Sequence, residues 1–278
     1  MIDFSHPDIR DCVERALEED IGPGDVTTQA CVPAERVARA RFLAREQQIV
    51  AGTELLPLIY EVRGGADELR IEKFSGACAV DGQTIATVRG PVRTLLECER
   101  VALNFLQHLG GIATLARRYA DTVAGTGCRV LDTRKTTPGL RHLEKMAAAA
   151  GGVLNHRMGL YDAILIKNNH ITAAGGVRQA LANAQAAGLP IEIEVRTRAE
   201  LEEAVAAGAT HLLLDNLTPD EAAEYIRWIA GRAKVELSGG ITLENIRAYA
   251  ETGADYISSG AITHSARAVD ISFRLELD

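Results

Sequence analysis

Apolar positions along this chain repeat with two spacings, and the rhythm changes near residue 128. Residues 8–20 place Ile9, Val13 and Leu17 about one helical turn apart, which predicts an amphipathic helix. The glycines and proline of DIGPGDVTT then break it. From Glu35 to Gly90 the pattern alternates as VARARFLAR, QQIVAG, LRIEKF and TIATVRG, separated by Gly-Gly, Ser-Gly and Asp-Gly signals. Such segments predict strands of an antiparallel sheet, with one helix over TELLPLIYEVR. Pro91 is expected to open a long helix, broken near Gly110–Gly111. Its apolar residues cover more than one face, as in a helix buried between layers or in a subunit contact.

From Cys128 onward the order is strand, loop, helix, repeated. The strands are RVLDT, AILIK, IEIEV, HLLLD, KVELS and DYISS, and amphipathic helices separate them. Short apolar strands alternating with helices predict a parallel sheet. The first strand is not followed by GxGxxG, which favours a barrel over a doubly wound open sheet. Six units are fewer than eight, so the α/β barrel is incomplete or plugged by another element. The tail DISFRLELD alternates once more and is expected to return to the N-terminal sheet. The expected domains are therefore 1–112, joined by the tail 270–278, and a barrel over 113–269.

Charge sharpens this outline. Cys128–His170 carries seven Lys/Arg against three acids, a net of +4 in a chain of net −8, so the rest carries −12. A cationic island in an acidic protein concentrates small anions without making the whole surface attractive to polyanions. Net negative charge argues against nucleic acid as a partner. No apolar run approaches the roughly 20 residues that span a bilayer. Acids stand where a signal peptide would need an apolar core. Five scattered cysteines without CxxC spacing suggest reduced structural thiols in a cytoplasmic protein, with no disulfide framework and no zinc site.

In a parallel barrel, chemistry gathers at the C-terminal strand ends. Those ends carry Arg134 and Lys135, Lys167, Glu194, Asp215, Ser238-Gly239-Gly240 and Ser259-Gly260. Glycine loops ahead of helix starts at Thr242 and Ala261 suit a phosphate, although SGG alone is also an ordinary turn. Glu194 and Asp215 suit Mg²⁺ held largely through a substrate phosphate; an ion pair with the facing cations is the other reading. His156 and Arg157 follow a Gly-Gly turn, and the guanidinium suits a carboxylate. Asn169 and His170 fit helix capping as well as ligand binding. Arg100, one turn from Leu96 and Leu103, either snorkels to solvent or serves a subunit contact. Ser238 and Ser259 lack an adjacent histidine, so nucleophilic catalysis is not expected.

The segments DTRKTTPGLRHLEK, GGVLNHRMGLYDAILIKNNH, EIEV, LLDN, ELSGGI and SSGAITHS, in this order and spacing, resemble the quinolinate phosphoribosyltransferase family. ALEEDIGPGDVTT, ERVALNFLQ and GIAT extend the likeness into the N-terminal half. The resemblance implies an N-terminal α+β open sandwich and an incomplete, roughly six-stranded TIM-like α/β barrel. It implies transfer of phosphoribose from phosphoribosyl pyrophosphate to quinolinate, with Mg²⁺, giving nicotinate mononucleotide, pyrophosphate and carbon dioxide. Arg134, Lys135, His156, Arg157, Lys167 and a partner-supplied Arg100 match the quinolinate positions. Glu194 and Asp215 match the metal positions, and Ser238, Gly239, Gly240 and Gly260 the phosphate cradle. Lys135, Lys167, Glu194 and Asp215 match the catalytic positions. A homodimer or larger homo-oligomer is implied, with Arg100 reaching the partner's site. The chain departs from the pattern at Met146, Ala147–Ala150, Asn168, Gly110 and Ser259, none of them an expected ligand. The alternatives are a sister transferase acting on nicotinate or another pyridine-like acid, and a non-catalytic phosphoribosyl-binding barrel. The second would have reason to lose Glu194, Asp215 or Lys135.

Overall fold

The structure is a computed structural model that describes residues 6–277. The first five residues and Asp278, included in the expected domain bounds, lie outside the described residues. Helix α1 (Pro7–Ile21) opens on Pro7, and the His6 ring accepts the Asp8 N–H. Its buried stripe is Ile9, Val13, Leu17 and Ile21, the expected period. Asp25 then caps a short helix that the glycines conceal in the sequence, α2 (Val26–Cys31), accepting the Thr28 N–H at 2.9 Å. Strands β1 (Val37–Ala44) and β2 (Gln48–Ile49), helix α3 (Leu56–Val62), then β3 (Glu68–Ile71), β4 (Cys78–Ala79) and β5 (Thr84–Pro91) follow.

Helix α4 (Val92–Thr122) begins after Pro91, which ends β5 instead of starting the helix. It also runs unbroken through Gly110–Gly111. Those glycines serve close packing: a Cβ on Gly111 would lie 2.2 Å from the Arg267 carbonyl oxygen, and one on Gly110 2.9 Å from Val269.

The later elements are β6 (Arg129–Leu131), α5 (Arg141–Gly151), β7 (Ile164–Ile166), α6 (Asn168–Ala174), α7 (Val177–Gln185), β8 (Ile191–Val195) and α8 (Arg198–Ala206). After them come β9 (His211–Asp215), α9 (Pro219–Ile229), β10 (Lys234–Ser238), α10 (Ile246–Ala250), β11 (Tyr256–Ser258), α11 (Ala261–His264) and β12 (Ile271–Leu277). One sheet has the order β12-β1-β5-β3 and is antiparallel, so the tail does return to the N-terminal sheet. The other is six-stranded and parallel, β6-β11-β10-β9-β8-β7. It is an incomplete barrel whose edge strands, β6 and β7, do not pair with each other; besides its pairing with β11, β6 makes one isolated bridge, Leu131 to Leu154.

The chain forms two compact units. One comprises Met1–Arg117, Thr136–Gly152 and Ser265–Asp278; the other comprises Arg118–Lys135 and Val153–His264. These units differ from the expected 1–112 with 270–278 and 113–269 chiefly in that Thr136–Gly152, which contains α5, groups with the first unit. Among the described residues no helix is long and apolar enough to cross a membrane.

Side chains alternate across the parallel sheet. Ile193, Val195, Leu212, Leu214, Val235 and Leu237 are buried on one face. The intervening positions Glu192, Glu194, Leu213, Asp215, Glu236, Ser238, Tyr256 and Ser258 line cavities on the other. That second face carries the chemistry.

Candidate active site

A cleft of about 520 Å³ lies at the C-terminal strand ends of the second unit. Ten of the residues expected to form the site line it: Arg134, Lys135, His156, Arg157, Lys167, Glu194, Asp215, Ser238, Gly239 and Gly240. Gly260 stands behind Lys135, where a Cβ would lie 2.7 Å from the Lys135 Cδ, so its bare backbone leaves room for that side chain. Arg100 is exposed on α4 in the first unit and is not among the cleft residues.

The loop carrying His156 and Arg157 is tied to the end of β6. Asp132 is fully buried, and its carboxylate accepts the His156 N–H at 2.8 Å and the Asn155 side-chain amide at 2.6 Å. The His156 Nδ1 accepts the Arg157 N–H at 2.9 Å, which leaves the ring proton on Nε2. Nε2 in turn donates to Glu192 at 3.0 Å and stands 3.6 Å from Glu236. His156 is therefore held through both ring nitrogens from within the chain.

The Arg157 Nη1 donates to the Ala163 carbonyl at 2.9 Å, while its buried Nε has no hydrogen-bond partner. Burial and the neighbouring Arg134 lower its pKa, with Asp162 and Glu192 opposing. Two guanidiniums that repel each other across a partly buried cleft form a site that gains from an anion. Asp162 receives the N–H groups of Met158 and Gly159 at 2.7 and 2.9 Å and shapes the turn that follows.

The opposite wall is acidic. Burial raises the pKa of Glu194, Lys167 pulls it down and Asp215 pushes it up again. The Lys167 Nζ stands 3.8 Å from Glu194, so the ion pair among the open readings is present. The Lys167 N–H donates to the His170 Nδ1 at 2.9 Å, and Asn169 lies in the same first turn of α6; capping is the role seen for His170.

The glycine loop after β10 departs from the expectation of a helix at Thr242. Thr242 N–H instead donates to the Asn245 side chain at 2.8 Å, and α10 starts at Ile246. Gly239 has φ +94°, and a Cβ there would come within 2.3 Å of the Asn216 side chain, so only glycine fits. Asn216 itself donates to Asp215 at 2.6 Å. Cys128, the one cysteine in a cationic stretch, is buried, which pushes its thiol up to about 12 and makes it inert.

Comparison with known proteins is consistent across both units. The quinolinate phosphoribosyl transferase C-terminal domain matches residues 112–274, and the N-terminal domain of the same family matches residues 25–110. A probable nicotinate-nucleotide pyrophosphorylase [carboxylating] of Bacillus subtilis is 41% identical over 277 residues, covering 99% of this chain and 96% of the relative. The Mycobacterium leprae nicotinate-nucleotide pyrophosphorylase is 42% identical, covering 96% of each. The chain belongs to the quinolinate phosphoribosyltransferase family. The crystal structure of NadC from Streptococcus pyogenes superposes with a TM-score of 0.94 at 37% identity over 100% of both chains.

Within this family frame, the departures from pattern fall mostly on packing positions. Met146 is buried in α5, and Ser259 donates to the Ile241 carbonyl. Asn168 alone lines the cleft. Residues that the sequence reading passed over include Asp132, Glu192, Asn216, Glu236 and Ser258. Glu192 and Glu236 lie two positions before Glu194 and Ser238 on the same strands, so strand alternation was the available signal.

Proposed function

We propose that the cationic end of the cleft holds the two carboxylates of quinolinate, with Arg134 and Arg157 as the principal partners and Lys135 and Lys167 beside them. As a member of its family, the chain is an enzyme that transfers phosphoribose from phosphoribosyl pyrophosphate to quinolinate, releasing pyrophosphate and carbon dioxide and forming nicotinate mononucleotide for NAD synthesis. The observation that carries the placement is the buried Arg157 Nε, a charged donor without an acceptor, adjacent to a second guanidinium.

Glu194 and Asp215 offer hard oxygen donors whose mutual repulsion a divalent cation would relieve, so the residues fit Mg²⁺. Bound there with the substrate, Mg²⁺ would offset the charge of the departing pyrophosphate. The glycine loop of Ser238, Gly239 and Gly240, with Gly260, would receive phosphate oxygens on backbone N–H groups. Lys135 would face the leaving pyrophosphate, the pyridine nitrogen would attack an oxocarbenium-like ribose, and no covalent enzyme intermediate forms. Fixed charge is the main catalytic device. Arg100 would reach the cleft of a second copy in a homodimer.

The test is titration of quinolinate and, separately, nicotinate into the protein, followed by product assay with phosphoribosyl pyrophosphate and Mg²⁺. Quinolinate is expected to bind at least about 100-fold more tightly, because nicotinate leaves one guanidinium without its carboxylate. Equal affinities would reject the placement. Arg100→Ala mixed with Lys135→Ala should regain part of the lost activity as mixed dimers; proven heterodimers without activity would reject the shared site.

A further inference from the structure

Loss of carbon dioxide from the quaternised ring leaves an electron pair on C2, and the product carries hydrogen there. A proton must therefore arrive at that carbon. The cations of the cleft stabilise negative charge there, while Glu194 and Asp215 belong to the metal-binding wall. One further acid lines the cleft: Glu236, at the inward-facing centre of β10 and 4% exposed.

Glu236 belongs to a cluster with His156 and Glu192, whose ligand-type atoms all lie within 4.8 Å of one another. Two carboxylates so close in a buried site do not both ionise. His156 already places its ring proton on Glu192, so the remaining proton resides with the more deeply buried Glu236. Burial and the charge of Glu192 raise Glu236 to about 8, against the opposing pull of His156 and Ser258. Its Oε1 is buried and has no hydrogen-bond partner.

A second cavity of about 410 Å³ shares His156, Arg157 and Glu236 with the cleft and is bounded by the exposed Pro190 and His211. Glu236 thus stands between the cleft and a space that water can enter.

We propose that Glu236 supplies the proton that replaces the departing C2 carboxylate, and that water in the second cavity reloads it. The inference rests on the placement of quinolinate against Arg134 and Arg157. The C2–carboxylate bond breaks, its pair stays on C2 and carbon dioxide leaves. The Glu236 O–H bond then breaks with its pair on oxygen, and a C2–H bond forms. The Glu236 carboxylate next takes a proton from water.

The test follows pyrophosphate, carbon dioxide and nicotinate mononucleotide separately in H₂O and D₂O, with full-length Glu236→Gln and Glu236→Asp. Removing a general acid costs typically 10²–10⁴-fold. In Glu236→Gln, mononucleotide formation should slow about 100-fold while first-turnover pyrophosphate release stays within about threefold, and product formation should become slower in D₂O than in H₂O. Glu236→Asp, which keeps an acid, should recover at least about tenfold over Glu236→Gln. Wild-type product rates in Glu236→Gln, or a parallel slowing of pyrophosphate and product without an isotope effect, overturn the proposal. If Glu236→Gln does not fold, Glu236→Asp decides: slowed product formation with a raised isotope effect supports the role, and its absence overturns it. Failure of the quinolinate placement reads differently, as loss of quinolinate binding by the wild-type protein.

Discussion

At Arg157 several constraints converge on one guanidinium: a carbonyl acceptor at Ala163, a backbone N–H spent on His156 and a repelling neighbour in Arg134. What remains for a ligand is a preoriented charge, so binding costs little reordering. Arg157→Ala is expected to weaken quinolinate binding about 100-fold and phosphoribosyl pyrophosphate binding less than about threefold, measured by separate titrations. Glu236 gives a second prediction at this scale. Its pKa lies near 8 in the fold against 4.5 ordinarily. Between those values the folded protein keeps a proton that the unfolded chain gives up, so stability falls as pH rises through that window. Glu236→Gln removes the dependence. Its melting temperature should drop less than that of the wild type between about pH 6 and about pH 9, and parallel drops would contradict the raised pKa.

At the scale of elements, the longest and most periodic segments are the ones the sequence makes plain. The stripe of α1, the alternation of β1 and β5 and the βα rhythm after residue 128 all specify their elements, because each repeats its signal over several turns or pleats. Helix α2 is six residues long and carries only a cap, too little for periodicity to register. Gly110–Gly111 mislead for another reason: a helix-breaking residue type is retained because the chain at Arg267–Val269 presses against the helix. Gly111→Ala should therefore lower the melting temperature by about 5 °C, corresponding to about 2 kcal/mol of overpacking, while leaving quinolinate affinity unchanged. The site residues at strand ends were legible because barrel geometry assigns them a place. Glu192 and Glu236 were not, since strands of a parallel sheet normally read as buried on both faces. The interior of this open sheet is polar near the cleft.

For the molecule as a whole, the cations and carboxylates line opposite walls of the cleft, so a metal held as proposed by Glu194 and Asp215 should be separable from the substrate. Chelating Mg²⁺ should abolish product formation yet leave quinolinate binding within about twofold, because fixed guanidiniums provide the attraction; loss of binding on chelation would place the metal at the wrong end of the cleft. The pairing of β12 with β1 reaches furthest in its effects. Ala38 sits opposite Leu277, so a strand made early has its neighbour made last. During synthesis, which proceeds at roughly 5–20 residues per second, the unit ending at His264 has all its strands before the first unit does. On the ribosome, the half of the protein that is begun first is the half that is finished last.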